Sequence, residues 1–323
     1  MKGIFARSTL AAMVLCLAHT GTALAETGGV DRIIGDPAGT GPYPAIAQVR
    51  ADAPGYTLYR PAQLPAQPLP LVLWGNGGCR DNGLSASHLL REVASHGYVI
   101  IANGSARQER DVLDAVPEKN GPTPPPGGRP TVIARSTPDE TSVTHLLAAI
   151  DWAMAHSALP GDALAGHIDT TRVAVMGHSC GGLQAIAAGG DPRISTVVAF
   201  NSGIYDRSNG FEQDVRLEKT DLARLHTSIA YILGGPQDVA FPNGMDDFDR
   251  IDRLPVLAAS LPIGHGGTFM LENGGIWAQI GTAWLNWQIN RDPKAARWFV
   301  GPDCTLCTAP GWTVERKNFP EAQ

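Results

Sequence analysis

Charge is scarce in this sequence, and no part of it is a positive cluster. Asp, Glu, Lys and Arg make up 17% of 323 residues against 43% hydrophobic. That is too little charge for extensive disorder and enough apolar material for one large core. Acidic residues outnumber basic ones, 31 to 25, for a formal net charge of -6. The absence of a Lys/Arg-rich stretch argues against binding nucleic acid or anionic lipid through a basic face. No apolar run reaches the ~20 residues that a membrane-spanning helix needs. Internal repeats are absent. So are G-x-G-x-x-G and a P-loop with its Lys, which argues against nucleotide binding.

The N-terminus has the pattern of a secretory signal. Lys2 and Arg7 supply positive charge, Leu10 to Leu17 an apolar core, and Ala23-Leu24-Ala25 a small-residue cleavage site. We therefore expect a signal at 1-25, a single catalytic domain at 26-323, and a secreted or periplasmic location. Cleavage would remove Lys2, Arg7 and Cys16, leaving a charge of -8 and four cysteines: Cys79, Cys180, Cys304 and Cys307. An even count in an exported chain predicts two disulfides, with three pairings open. Cys304-Thr305-Leu306-Cys307 has the spacing of a redox motif or half a zinc site. With no strand before it and no second Cys pair, a local staple is the better reading, and no metal is expected.

Two short β-prone segments, Ile46 to Arg50 and Tyr56 to Tyr59, suggest an antiparallel hairpin. Buried runs then alternate with helical patterns. Strands are expected at Leu69 to Trp74, Tyr98 to Ala102, Val173 to Met176, Thr196 to Phe200, Ile229 to Leu233 and Val256 to Leu261. Helices are expected at Ser85 to His96, Asp139 to His156, Leu183 to Ala188 and Ile276 to Ile289. Ser105 to Pro138, rich in Pro, Gly and charge, reads as a long excursion. The alternation predicts an α/β fold with a mostly parallel central sheet of about eight strands and helices on both faces. Its functional groups should then lie beyond the carboxyl ends of the strands.

One pentapeptide carries chemistry. Gly177-His178-Ser179-Cys180-Gly181 is a G-x-S-x-G sequence between an expected strand and an expected helix, the setting of a nucleophile elbow. A serine hydroxyl needs a base to accept its proton and a carboxylate to orient that base. Asp238 follows the Ile229 to Leu233 strand, and His265, set among glycines, follows the last strand. Both are the predicted partners of Ser179. Asp246, Asp247 and Asp249 compete for the acid role, but Asp238 is nearest a strand end. His178 is expected to pack beneath the elbow rather than act as base. An acyl-transfer site also needs N-H donors for the oxyanion. Cys180 supplies one by position, and Gly78 in Trp74-Gly75-Asn76-Gly77-Gly78-Cys79 is the choice for the second. If both donor loops meet, Cys79 and Cys180 come close enough to pair. Trp74, Tyr205 and Phe241 are candidate walls of an acyl pocket.

In motif identity and order the chain resembles the α/β-hydrolase superfamily over nearly all of residues 26-323. Trp74-Gly75-Asn76-Gly77-Gly78-Cys79 and Asp191-Pro192-Arg193, with no large cap insertion, are similar to compact secreted esterases of the chlorophyllase, dienelactone-hydrolase and polyester-hydrolase (cutinase-like) groups. The resemblance implies cofactor-free hydrolysis of small or polymeric carboxylic esters. It departs from polyester hydrolases at Cys180, where they commonly carry Met. A serine peptidase or amidase would use the same triad, and a non-catalytic binding module would keep the fold without the chemistry.

Overall fold

Side chains alternate across the strands as a two-faced buried sheet requires. Leu71, Leu73, Val173, Val175, Ile229 and Tyr231 enter one apolar cluster. Their neighbours Val72, Trp74, Ala174, Met176, Ala230 and Ile232 enter the other. The computed structural model describes Met1 and residues 31-107, 140-205 and 215-319. The expected signal and most of the Ser105 to Pro138 excursion lie outside these residues, as does Asp139.

Among the described residues one sheet has ten strands: β1 (Arg32–Ala38), β2 (Ala45–Val49), β3 (Tyr56–Pro61), β4 (Leu69–Gly75), β5 (Val99–Asn103), β6 (Ile168–His178), β7 (Ile194–Phe200), β8 (Ser228–Leu233), β9 (Val256–Ser260) and β10 (Thr313–Lys317). Their spatial order is β1-β2-β3-β5-β4-β6-β7-β8-β9-β10. The sheet is mixed. The five pairings from β5 through β9 are parallel, and the four at the margins are antiparallel. Helix α1 (Ser87–Ser95) packs with the second cluster. Helices α2 (Val143–Ala158), α3 (Cys180–Ala188) and α4 (Phe241–Arg250) pack with the first, and α5 (Gly275–Gln288) with the second. The sheet is thus covered on both faces, as an α/β layering requires.

The sheet has ten strands rather than about eight because of its two margins. In β1, Arg-Ile-Ile-Gly-Asp-Pro-Ala is largely exposed and includes Gly and Pro, and β10, Thr-Val-Glu-Arg-Lys, is mostly charged and exposed. Edge strands are often blunted in this way, and they lose the apolar alternation that marks a strand in sequence. Helix α4 was also not expected. Its Asn, Gly and Asp residues suggest a loop, but Pro242 sits in its first turn and Phe248 and Asp247 are buried.

The parallel strands end side by side. Gly75 at the end of β4 pairs with Gly177 near the end of β6, and His178 pairs with Phe200 at the end of β7. Residues 76-79, 179, 201, 238 and 265 therefore follow the carboxyl ends of five adjacent strands.

Candidate active site

Ser179 is the single residue between β6 and α3, with φ 53° and ψ -121°. A non-glycine residue there costs of order 1-3 kcal/mol and persists only when its surroundings hold it. Here the Ser179 N-H donates to Phe200 O (3.0 Å), and Ser202 Oγ donates to Ser179 O (2.7 Å). The flanking glycines are dictated by backbone crossing. A Cβ on Gly177 would lie 2.1 Å from Gly181 O, and one on Gly181 would lie 2.1 Å from Gly75 C and O. Any side chain at either place would push β4, β6 and α3 apart.

His265 reaches Ser179 from the loop after β9, with Nε2 2.9 Å from Ser179 Oγ. Its Nδ1 is 2.6 Å from Asp238 Oδ1. A carboxylate only accepts, so Nδ1 carries the proton and Nε2 presents a lone pair to the serine hydroxyl. Asp238 is 1% exposed. Burial raises its pKa, but the His265 hydrogen bond and N-H groups of Ala240 and Gly234 outweigh this and hold the carboxyl below its ordinary value. The N-H of Ala240 donates to Oδ1 (2.9 Å), and that of Gly234 to Oδ2 (3.2 Å).

All three competing aspartates lie on α4, and the carboxylates of Asp246 and Asp247 are engaged there. Asp247 Oδ1 accepts from Lys219 Nζ (2.6 Å), and its Oδ2 accepts from the Ile204 N-H (2.8 Å). Asp246 pairs with Lys219 and Arg250. Asp249 offers its backbone carbonyl to Lys317 Nζ. His178 donates from Nε2 to the His265 carbonyl (2.9 Å), and its ring lies 4.5 Å from that of Phe269. Burial lowers its pKa to about 4, so it stays neutral and supports the His265 loop from below.

The loop after β4 is tied to the elbow. Cys79 and Cys180 form a disulfide with Cα atoms 5.2 Å apart, which places the residue after Gly78 beside the residue after Ser179. Gly78 has φ 66°, a left-handed conformation that glycine adopts without cost. Among the described residues neither the Gly78 nor the Cys180 N-H meets an acceptor. The Cys180 N-H also opens helix α3, whose dipole favours negative charge at that end. Buried Asn76 fixes the loop, donating through Nδ2 to Asn103 O (2.7 Å) and Arg80 O (3.1 Å). Cys304 and Cys307 form the second disulfide, a local staple.

Tyr205 and Phe241 are partly buried against the first cluster, and Tyr205 is close enough to Asp238 to feel its charge. Trp74 is different. It is fully buried in the second cluster against Phe200 and Phe269, so it belongs to the core and not to a pocket wall. The alternation of side chains along β4 turns its ring to the side of the sheet away from Leu73 and α3.

Among the described residues Asp52, His156 and Asp162 have the spacing of a metal-ligand group. The Arg50 guanidinium already sits among them, 2.6 Å from Asp52 and 2.8 Å from Asp162. Sequence reasoning missed Asn201, Ser202 and Trp277. Asn201 and Ser202 directly follow β7, so the strand-end rule that selected Asp238 and His265 would also have pointed to them. Compared with known proteins, the chain matches no family model and no curated protein.

Proposed function

We propose that this chain is a secreted or periplasmic serine esterase of the α/β-hydrolase type, without a large cap, acting on carboxylic esters through an acyl-enzyme. The observation that carries the reading is the continuous Ser179-His265-Asp238 contact, 2.9 and 2.6 Å, assembled beyond the ends of parallel strands. Two disulfides favour an oxidising compartment.

In the first half-reaction Ser179 Oγ bonds to the ester carbonyl carbon while its proton passes to His265 Nε2. The carbonyl electron pair moves to oxygen, which the N-H groups of Gly78 and Cys180 receive. Collapse breaks the bond to the alcohol oxygen, and the leaving alkoxide takes the proton from His265. Water repeats the sequence on the acyl-enzyme, releasing acid and regenerating Ser179. Asp238 stays ionised and stabilises the imidazolium.

Purified protein should turn over p-nitrophenyl acetate or butyrate, leave a p-nitroanilide untouched, and be labelled at Ser179 by a fluorophosphonate. Turnover of the anilide instead would indicate a peptidase or amidase. Esterase activity surviving in Ser179→Ala would overturn the assignment.

A further inference from the structure

Asn201 directly follows β7 and is fully buried, with φ 46°. Its backbone N-H donates to Ile232 O (2.8 Å), which locks the residue to the end of β8. Its side chain joins two catalytic loops. Nδ2 donates to Asp238 Oδ2 (2.9 Å) and to the carbonyl of Gly264 (3.1 Å), the residue before His265. Its Oδ1 accepts from Trp277 Nε1 (2.7 Å). Trp277, fully buried in the first turn of α5, also lies against the His265 loop: a Cβ on Gly267 would be 2.6 Å from its Nε1. Its backbone N-H donates to Thr268 Oγ1 (3.0 Å).

The chemistry of these partners sets the amide's orientation. Indole N-H can only donate, whereas the carboxylate and the carbonyl can only accept. A flipped Asn201 would oppose two acceptors with oxygen and one donor with nitrogen. Trp277 therefore dictates that the NH2 group faces Asp238 and Gly264. Nδ2 and the Gly234 N-H occupy Oδ2, and Oδ1 is left for His265 and the Ala240 N-H.

We propose that Asn201, oriented by Trp277, is a positioning residue that clamps the acid and base loops together and fixes which oxygen of Asp238 meets His265. This rests on the serine-esterase reading. Its Nδ2 contacts join the loops that follow β8 and β9 to the end of β7, so the clamp sets the spacing of the triad rather than the shape of one loop.

The test is Asn201→Asp, which matches the asparagine in size but donates to Asp238 only while protonated. The titratable groups facing it are Asp238, His265, His178 behind the His265 carbonyl, and Tyr205 beside Asp238. Two carboxyls sharing one site force one of them to hold a proton to higher pH. The variant-to-wild-type ratio of kcat on p-nitrophenyl butyrate should therefore fall about tenfold or more between pH 5 and 8, with KM within about twofold. A ratio constant across pH would overturn the clamp, because a general packing defect depresses activity evenly. If Asn201→Asp does not fold, Trp277→Phe decides. It removes the indole N-H together with part of the buried ring, and kcat should fall about fivefold or more at unchanged KM, whereas wild-type kcat would overturn the proposal. Wild-type turnover and Ser179 labelling, measured beside the variants, separate the two claims. If both are absent the esterase reading falls and the clamp with it; if both are present, the variants judge the clamp alone.

Discussion

At the residue scale the site depends on directions of hydrogen bonding that small substitutions reverse. Asp238→Asn preserves shape but places an amide NH2 or a weaker acceptor opposite His265 Nδ1, allowing the wrong tautomer to face Ser179. We expect kcat for ester hydrolysis to fall about 10³- to 10⁴-fold with KM little changed, as measured by steady-state kinetics on p-nitrophenyl butyrate. A loss confined to KM would mean that Asp238 binds substrate instead. Ser179→Ala should remove fluorophosphonate labelling and reduce turnover to the residual level that an oxyanion hole alone supports. It should not destabilise the fold. The alanine gives up no buried side-chain hydrogen bond beyond that to His265, so its urea midpoint should stay at the wild-type value or rise.

At the scale of elements, the disulfide Cys79-Cys180 joins the turn after β4 to the first residue of α3. It closes a sequence separation of 101 residues, worth about 4-5 kcal/mol in a chain-entropy treatment before any native strain is subtracted. The double variant Cys79→Ser/Cys180→Ser should therefore unfold at clearly lower urea. Because Gly78 adjoins the bond and Cys180 is one end of it, it should also lose more in kcat than in KM. Equal kcat in the two proteins would show that Asn76 and its hydrogen bonds to Asn103 and Arg80 hold the loop unaided.

The central strands were readable in the sequence because apolar runs such as Leu69 to Trp74 and Ile229 to Leu233 are buried on both faces. The G-x-S-x-G turn stood out because backbone crossing leaves no room for Cβ atoms. The edge strands β1 and β10 were not readable, being exposed on their outer side and free to carry charge, Gly and Pro. Trp74 was misplaced because proximity in sequence to an active loop says nothing about which face of a strand a ring occupies. Asn201 and Trp277 escaped because their meaning lies in a contact between residues 76 positions apart, which no local pattern records.

On the scale of the whole molecule, an ion cluster outside the candidate site ties β2 to the α2-β6 connection. Arg50, at the end of β2, holds Asp162 through two hydrogen bonds of 3.0 and 2.8 Å, and His156 Nδ1 adds a third at 2.7 Å. Burial would raise the Asp162 pKa, but Arg50, His156 and the Leu164 N-H lower it below the ordinary carboxylate range. A carboxyl depressed in the folded state contributes stability that is fully present above its unfolded value, about pH 4, and that is lost as pH falls through the folded value. Asp162→Asn leaves the Arg50 charge partly unpaired, although Asp52 remains. Urea unfolding at pH 7 should register a loss of about 3 kcal/mol, and at pH 2.5 the gap to wild type should narrow. A gap independent of pH would indicate a packing defect.

The pairing of the cysteines also bears on how the chain matures. Cys79 joins Cys180 and Cys304 joins Cys307, so each bond links cysteines that are neighbours in order among these four. On the export proposed above, a chain emerging from its N-terminus presents Cys79 first, Cys180 next, and the last two together. An oxidant that joins thiols in order of emergence makes the native set directly. Maturation then requires a thiol oxidase but no isomerase to reshuffle misplaced bonds.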